Sequence, residues 1–235
     1  MNKEISLGKR LSRIAELITQ SNEYNEIWDC CCDHGYLGAY LLNHYAEMPN
    51  KIIHINFVDQ VSHITQNLEQ KLSRSHFSNY SIHTKDAGQL TLNNRSQHCI
   101  VVAGVTTTGT LKILQAILNN SPSICLDFIL CPTRGQYDLR QFLIQQNAHL
   151  LNETLIKENQ RFYEVLHVRL NAKLPAQRIK CISAIGEFWQ YDDAEHISYL
   201  NARILHYQKQ TLNKEVLSKA AQQYSDMLCH IQTRI

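Results

Sequence analysis

Three aspartates recur at intervals of roughly 30 residues in this 235-residue chain: Asp29, Asp59 and Asp86. Each stands at or just past the end of a short run rich in apolar and β-favouring residues. A carboxylate at the carboxyl end of a parallel strand faces the crevice in which open α/β sheets hold their ligands. At the tip of a second strand it can accept hydrogen bonds from both hydroxyls of a ribose. After a third strand it can accept from the exocyclic amine of adenine, and after the first it can order a turn that approaches the ligand closely. A lone aspartate at a strand end is ordinarily a turn former. Three on successive strands point to a nucleoside site.

The elements that must position these acids follow from periodicity. Residues 8–20 place Leu11, Ile14, Ala15 and Ile18 at helical spacing, with Lys9, Arg10 and Arg13 on the polar side. Glu26–Cys30 is a short strand, residues 36–42 a helix, Lys51–Asp59 a strand, Ser62–Ser73 a helix and Ser81–Thr84 a strand turning at Asp86-Ala87-Gly88. Cys99–Ala103 and Leu126–Leu130 are unbroken apolar runs, suited to a sheet covered on both faces. Residues 104–109 form a Thr/Gly loop, 110–118 and 138–146 helices, and 150–156 with 162–170 an antiparallel hairpin. This alternation predicts a doubly wound α/β sheet over residues 1–170, and with the three acids it makes a class I S-adenosylmethionine site the expected chemistry. Residues 171–178 resemble a linker. Beyond it, Ile197, Leu200, Ile204 and Tyr207, then Leu217, Ala220, Tyr224, Met227 and Ile231, predict a C-terminal helical hairpin of coiled-coil type over 171–235.

Composition narrows the class. No stretch approaches the roughly 20 apolar residues of a membrane span, and MNKEISLGKR has no apolar core behind its charges, so a cytoplasmic, reduced protein is expected. Net charge is only +2, weaker than a dedicated nucleic-acid binder usually carries, and the excess lies beyond residue 170. Lys9, Arg10 and Arg13 are the local cluster that could meet phosphate, with Lys173, Arg178 and Lys180 in the tail. Of the eight cysteines, the run Cys30-Cys31-Cys32 lacks zinc-ligand spacing and none of the others completes a C-x-x-C pair, so no metal is expected. Glycine is scarce: eight, where average usage gives about 16.

The motifs themselves carry a resemblance. Leu7-Gly8-Lys9-Arg10-Leu11, Asp29-Cys-Cys-Cys-Asp33-His34-Gly35-Tyr36-Leu37, Val101-Val102-Ala103-Gly104, Leu130-Cys131-Pro132-Thr133, Leu139-Arg140-Gln141-Phe142-Leu143 and Phe162-Tyr163-Glu164-Val165-Leu166 follow one another in order. Over residues 7–170 this resembles the TrmK family, bacterial tRNA adenine-22 N1-methyltransferases. Its members read L-S-K-R-L, D-I-G-S-D-H-A-Y-L-P, I-x-I-A-G-M-G-G, L-Q-P-N, L-R-x-W-L and x-Y-E-V-L at compatible spacing. The resemblance implies a Rossmann-like class I methyltransferase fold with a C-terminal helical module, S-adenosylmethionine as methyl donor and tRNA as substrate. It implies a cofactor set of Asp29, Cys31, Asp59, Asp86, Ala103 and Gly104, with Asp33 and Thr133 beside the target base and Lys9, Arg10 and Arg13 on RNA. A monomer, or a weak dimer through the tail helices, is expected.

The chain departs from that pattern at its loops. Cys31 replaces the first-loop glycine, Gly104-Val105-Thr106-Thr107 replaces Gly-Met-Gly-Gly, Thr133 replaces an asparagine, and Asp59 stands where the family has glutamate. Two readings follow. In one the site is remodelled and active, with threonine hydroxyls taking over polar contacts. In the other the fold survives as an RNA-binding or regulatory scaffold without turnover.

Overall fold

The computed structural model describes residues 5–21, 23–48, 50–172, 180–210 and 215–233, without the side chains of 210 and 215–218. Lys173, Arg178 and the side chain of Leu217, singled out above, lie outside the described residues. Seven strands form one sheet: β1 (Glu26–Cys30), β2 (His54–Asp59), β3 (Tyr80–Thr84), β4 (His98–Ala103), β5 (Leu126–Cys131), β6 (His149–Glu158) and β7 (Arg161–Leu170), in the order β3-β2-β1-β4-β5-β7-β6. The first five run parallel, and β7 enters antiparallel between β5 and β6. The helices are α1 (Lys9–Gln20), α2 (Tyr36–Ala46), α3 (Ser62–Leu72), α4 (Thr107–Asn120), α5 (Gln136–Gln145), α6 (Ala194–Gln210) and α7 (Glu215–Gln232).

Side-chain alternation splits the core into two layers. Ile27, Ile55, Phe57, Cys99, Val101 and Ile129 pack against α1, α2 and α3. Their neighbours Trp28, Val58, Ile100, Val102, Phe128 and Leu130 pack against α4 and α5 on the opposite face. The unbroken apolar runs therefore feed both layers, as expected of a doubly wound sheet. The boundaries move where capping decides them. α4 opens at Thr107 rather than residue 110 because Thr106 caps it, its hydroxyl accepting from the Gly109 N–H. β2 begins at His54, three residues later than expected, and α5 at Gln136, just after Gly135 in left-handed conformation.

The tail helices pair with each other, Tyr207 stacking on Tyr224 with centroids 5.7 Å apart, while Leu200 and Ala220 are buried between them. They also dock on the sheet through a charged centre absent from the sequence reading. Arg140 of α5 is fully buried; its Nε donates to Glu164 of β7 and its Nη2 to Glu153 of β6, both at 2.7 Å, and its Nη1 to the Ser183 carbonyl at 3.0 Å. Tyr199 of α6 donates its hydroxyl to the other oxygen of Glu164. Two carboxylates hold the Arg140 proton firmly against the burial penalty. Removing one partner of such a centre strands the other charges in the core. Arg140→Met should therefore lower stability in urea unfolding by about 3–5 kcal/mol, and Tyr199→Phe by about 1–2 kcal/mol. A near-neutral Arg140→Met would contradict the role of this centre.

Candidate functional site

β1 pairs with β2 on one side and β4 on the other, both in parallel, so the chain leaving β1 and the chain leaving β4 part above the sheet. Open α/β sheets place their ligands at such a switch point. A cleft of about 260 Å³ lies there, between the loop after β1, the turn after β4 and the start of α1. Asp29, Cys31, Asp33, Ala103, Gly104 and Arg10 all line it.

The loop after β1 is tightly wound. Cys31 (φ 57°), Asp33 (φ 48°) and Gly35 (φ 68°) all take left-handed conformations, and the Gly35 N–H closes the turn on the Cys32 carbonyl at 2.8 Å. Gly38 then lets α2 settle onto β2, since a Cβ there would fall 2.2 Å from the Phe57 ring. That approach brings the Gly38 N–H to Asp29 Oδ2 at 3.1 Å. Burial pushes the Asp29 carboxyl up to about 7; the Gly38 N–H opposes the shift and the charge of Asp59 adds to it.

Asp59 ties two loops together. Its Oδ1 accepts from the Val61 N–H at 3.0 Å and its Oδ2 from the Asp33 N–H at 3.3 Å, leaving lone pairs on both oxygens. Asp86 is exposed; it accepts from the Gly88 N–H at 2.8 Å and so opens a short 3₁₀ turn. The three acids bear on one thiol. Burial first, and then the charges of Asp59, Asp29 and Asp86, together push the Cys31 thiol up to about 11. Cys31 is thus a neutral group in the cleft wall, not a nucleophile.

On the other side, Gly104 is left-handed (φ 84°), and a Cβ there would meet only Arg10 Nη1, at 3.9 Å. Arg10 extends over the Tyr163 ring, 4.9 Å from its centroid, and its buried Nε has no hydrogen-bond partner among the described residues. The cluster of cations expected to meet RNA is therefore dispersed. Arg10 turns into the cleft, Arg13 is held by Glu16 at 3.1 Å and Asn152 at 3.3 Å, and Lys9 is exposed. Lys180 lies far along the chain near Glu187, at 4.0 Å.

Threonine hydroxyls expected to serve a ligand are used by the loops themselves. Thr106 caps α4, Thr107 reaches the Arg134 and Gly135 carbonyls at 2.5 and 2.9 Å, and Thr133 donates both its N–H and its hydroxyl to the Val105 carbonyl. These bonds fasten the loop after β5 to the loop after β4. Thr133 does not itself line the cleft; it sits against Val105, which does, and keeps an accepting lone pair on an exposed hydroxyl. Asp33 lines the cleft at its open side, its side chain 70% exposed and 3.1 Å from His34 Nδ1. Tyr36, the first residue of α2, is 52% exposed and lines the cleft mouth. The Arg10–Tyr163 contact joins two of the motifs quoted above, and no sequence spacing signals it. Among the described residues no group of three or more His, Cys, Asp or Glu could hold a metal, and no helix is long and apolar enough to cross a membrane.

Comparison with known proteins follows the same outline. Residues 7–166 match the family model described as a methyltransferase domain. Two mycoplasma proteins with the description "putative tRNA methyltransferase" are similar to the chain. The one from Mycoplasma pneumoniae is 30% identical over 163 residues, covering 69% of this chain and 71% of that protein. The one from Mycoplasma genitalium is 27% identical over 183 residues, 77% of each. Among solved structures, M. capricolum TrmK in complex with S-adenosylhomocysteine superposes with a TM-score of 0.68 at 20% identity, covering 97% of both chains. Streptococcus pneumoniae Sp1610, solved with S-adenosylmethionine, superposes with a TM-score of 0.70 at 19% identity, covering 95% of this chain and 100% of that one. At these identities the likeness is one of fold.

The left-handed position of Cys31 makes a testable demand. A β-branched residue fits that conformation worst and glycine best. Cys31→Val should cost about 2 kcal/mol, while Cys31→Gly stays within about 1 kcal/mol of neutral, both read from urea unfolding. The reverse order would mean that thiol packing, not backbone strain, governs the position.

Proposed function

The chain belongs to the methyltransferase domain family, and from that premise we propose that it is an S-adenosylmethionine-dependent tRNA methyltransferase acting on N1 of adenine 22. The observation that carries the reading is the meeting of Asp29, Arg10 and Gly104 in one cleft at the switch point, within the segment that matches the family.

The cleft fits the donor by its chemistry. An arginine with a buried, unpartnered Nε suits the carboxylate of an amino-acid moiety, and a buried acid suits its ammonium. Asp59 has lone pairs for ribose hydroxyls, and Ala103 and Gly104 offer backbone where no side chain intervenes. Asp86, with one oxygen engaged by Gly88, keeps the other for the adenine amine. S-adenosylmethionine supplies a methyl group already activated by its cationic sulfur. The chain's own task is therefore to orient the target base and exclude water. An adenine inside folded tRNA must leave its stack to reach the cleft. Tyr36 at the mouth gives it an aromatic face, the Thr133 hydroxyl accepts from its amine, and Asp33 lies where a carboxylate offsets the positive charge that N1-methylation creates.

The direct test incubates an unmodified tRNA transcript with the protein and S-adenosylmethionine, then digests the RNA for mass spectrometry. 1-Methyladenosine should appear and vanish when adenine 22 is replaced by guanine; its absence from the natural transcript would overturn the reading in favour of a scaffold without turnover. Asp59→Asn should weaken S-adenosylhomocysteine binding about tenfold or more; an unchanged Kd would remove the ribose role. A pH dependence follows from Asp29. Because its carboxyl is raised to about 7 by burial, it is largely protonated below that pH and charged above it. Affinity for S-adenosylhomocysteine should rise as pH goes from about 6 to 8, and Asp29→Asn should flatten the curve. A flat profile in the unaltered protein would contradict the assignment.

A further inference from the structure

Two depressions adjoin the cleft on the side of α3. One, of about 320 Å³, runs between the β1–α2 loop and α3, and Asp33, His34, His63, Asn67, Lys71 and Arg74 line it. The other, of about 490 Å³, is mainly apolar; it shares His34, Leu68 and Lys71 with the first and passes beneath Tyr36 toward Phe77. Asp33 and His34 also line the cleft, and so does Tyr36. The three hollows thus meet at His34–Tyr36 and form one trough that opens into the site.

Its charge is one-sided. His63, Asn67 and Lys71 recur every fourth residue on one face of α3, and Arg74 continues that line just past the helix end. Lys71 and Arg74 are exposed and make no ion pair or side-chain hydrogen bond among the described residues. The carboxylate on this wall is Asp33, already beside His34 at 3.1 Å. A structural cation on a helix normally finds an acid one turn away, as Arg13 does with Glu16. These two lead instead along a trough with an exposed aromatic at its head. Cations in line beside an aromatic platform match a single nucleic-acid strand: phosphates repeat along one side and bases stack on the other. The N-terminal cations do not offer such a line: Arg10 faces the cleft and Arg13 is held by Glu16 and Asn152, which leaves Lys9 alone exposed there among the described residues.

We infer that this trough carries the RNA strand flanking the target base, with Lys71 and Arg74 on its phosphates and Tyr36 against a base at the entrance. The inference rests on the tRNA reading above and adds the surface by which the substrate is held. Both cations are exposed, so the double variant Lys71→Ala/Arg74→Ala should keep its fold and its S-adenosylhomocysteine affinity. Binding of an unmodified tRNA transcript, measured by filter retention over a series of salt concentrations, should weaken about tenfold at low salt, and the slope of log K against log salt should fall by about 1.5. Lys71→Arg/Arg74→Lys should restore both. Unchanged affinity and slope in the alanine variant, with the unaltered protein binding tRNA, would overturn the trough alone. Failure of the unaltered protein to bind tRNA while it still binds S-adenosylhomocysteine would overturn the tRNA reading, and the trough with it.

Discussion

The parallel ladder that β1 makes on both of its edges is the constraint on which the rest of the molecule depends. Parallel neighbours cannot be joined by tight turns, so each connection must cross a face of the sheet. With β2 on one side of β1 and β4 on the other, the segments that leave the two central strands diverge. The gap between them is a consequence of strand order, made before any side chain is chosen. Residues at strand tips are brought near one another at that edge, and so Asp29, which lines the cleft, and Asp59 and Asp86, which do not, all influence a single thiol although they are far apart in the chain.

What the tips do with that gap is a matter of strain and hydrogen bonding. Two non-glycine residues, Cys31 and Asp33, hold left-handed backbone in a loop of five, a conformation that costs of order 1–3 kcal/mol each and persists only when its surroundings enforce it. Here the enforcement is visible. Asp59 grips the Asp33 N–H, the Gly35 N–H closes the turn, and Gly38 seats α2 so that its N–H meets the buried Asp29. The loop is thereby set before a ligand arrives, which is what a site that acts by positioning requires. The same reasoning explains how threonines can stand in the loop after β4: they serve as caps and clasps between loops.

Much of this was legible in the sequence, and the parts that were not have physical reasons. The apolar runs of β4 and β5 and the spacing of the three acids record local rules, because burial on two faces and a strand-end acid each leave a compact signature. Arg10 was assigned to the polar side of an amphipathic helix, which is correct for its position. Yet α1 packs beside β6 and β7, so that side of the helix looks onto Tyr163 and the cleft. The charged centre at Arg140 joins residues 13, 24 and 43 positions away on different elements, and no periodicity reports such a pairing. The exposure of Tyr36 likewise depends on how closely α2 seats on β2, which is set by the Gly38–Phe57 approach across two elements and not by local spacing.

In the function proposed for it, the gap beside β1 is a working S-adenosylmethionine site although its loops hold few glycines. Calorimetric titration of the unaltered protein with S-adenosylhomocysteine tests it most directly. The account predicts saturable binding of one molecule per chain, with a rise in Tm that grows with ligand concentration. Neither heat nor thermal stabilisation at millimolar ligand would contradict it, and would mean that Cys31 and its neighbours have closed the site that the fold creates.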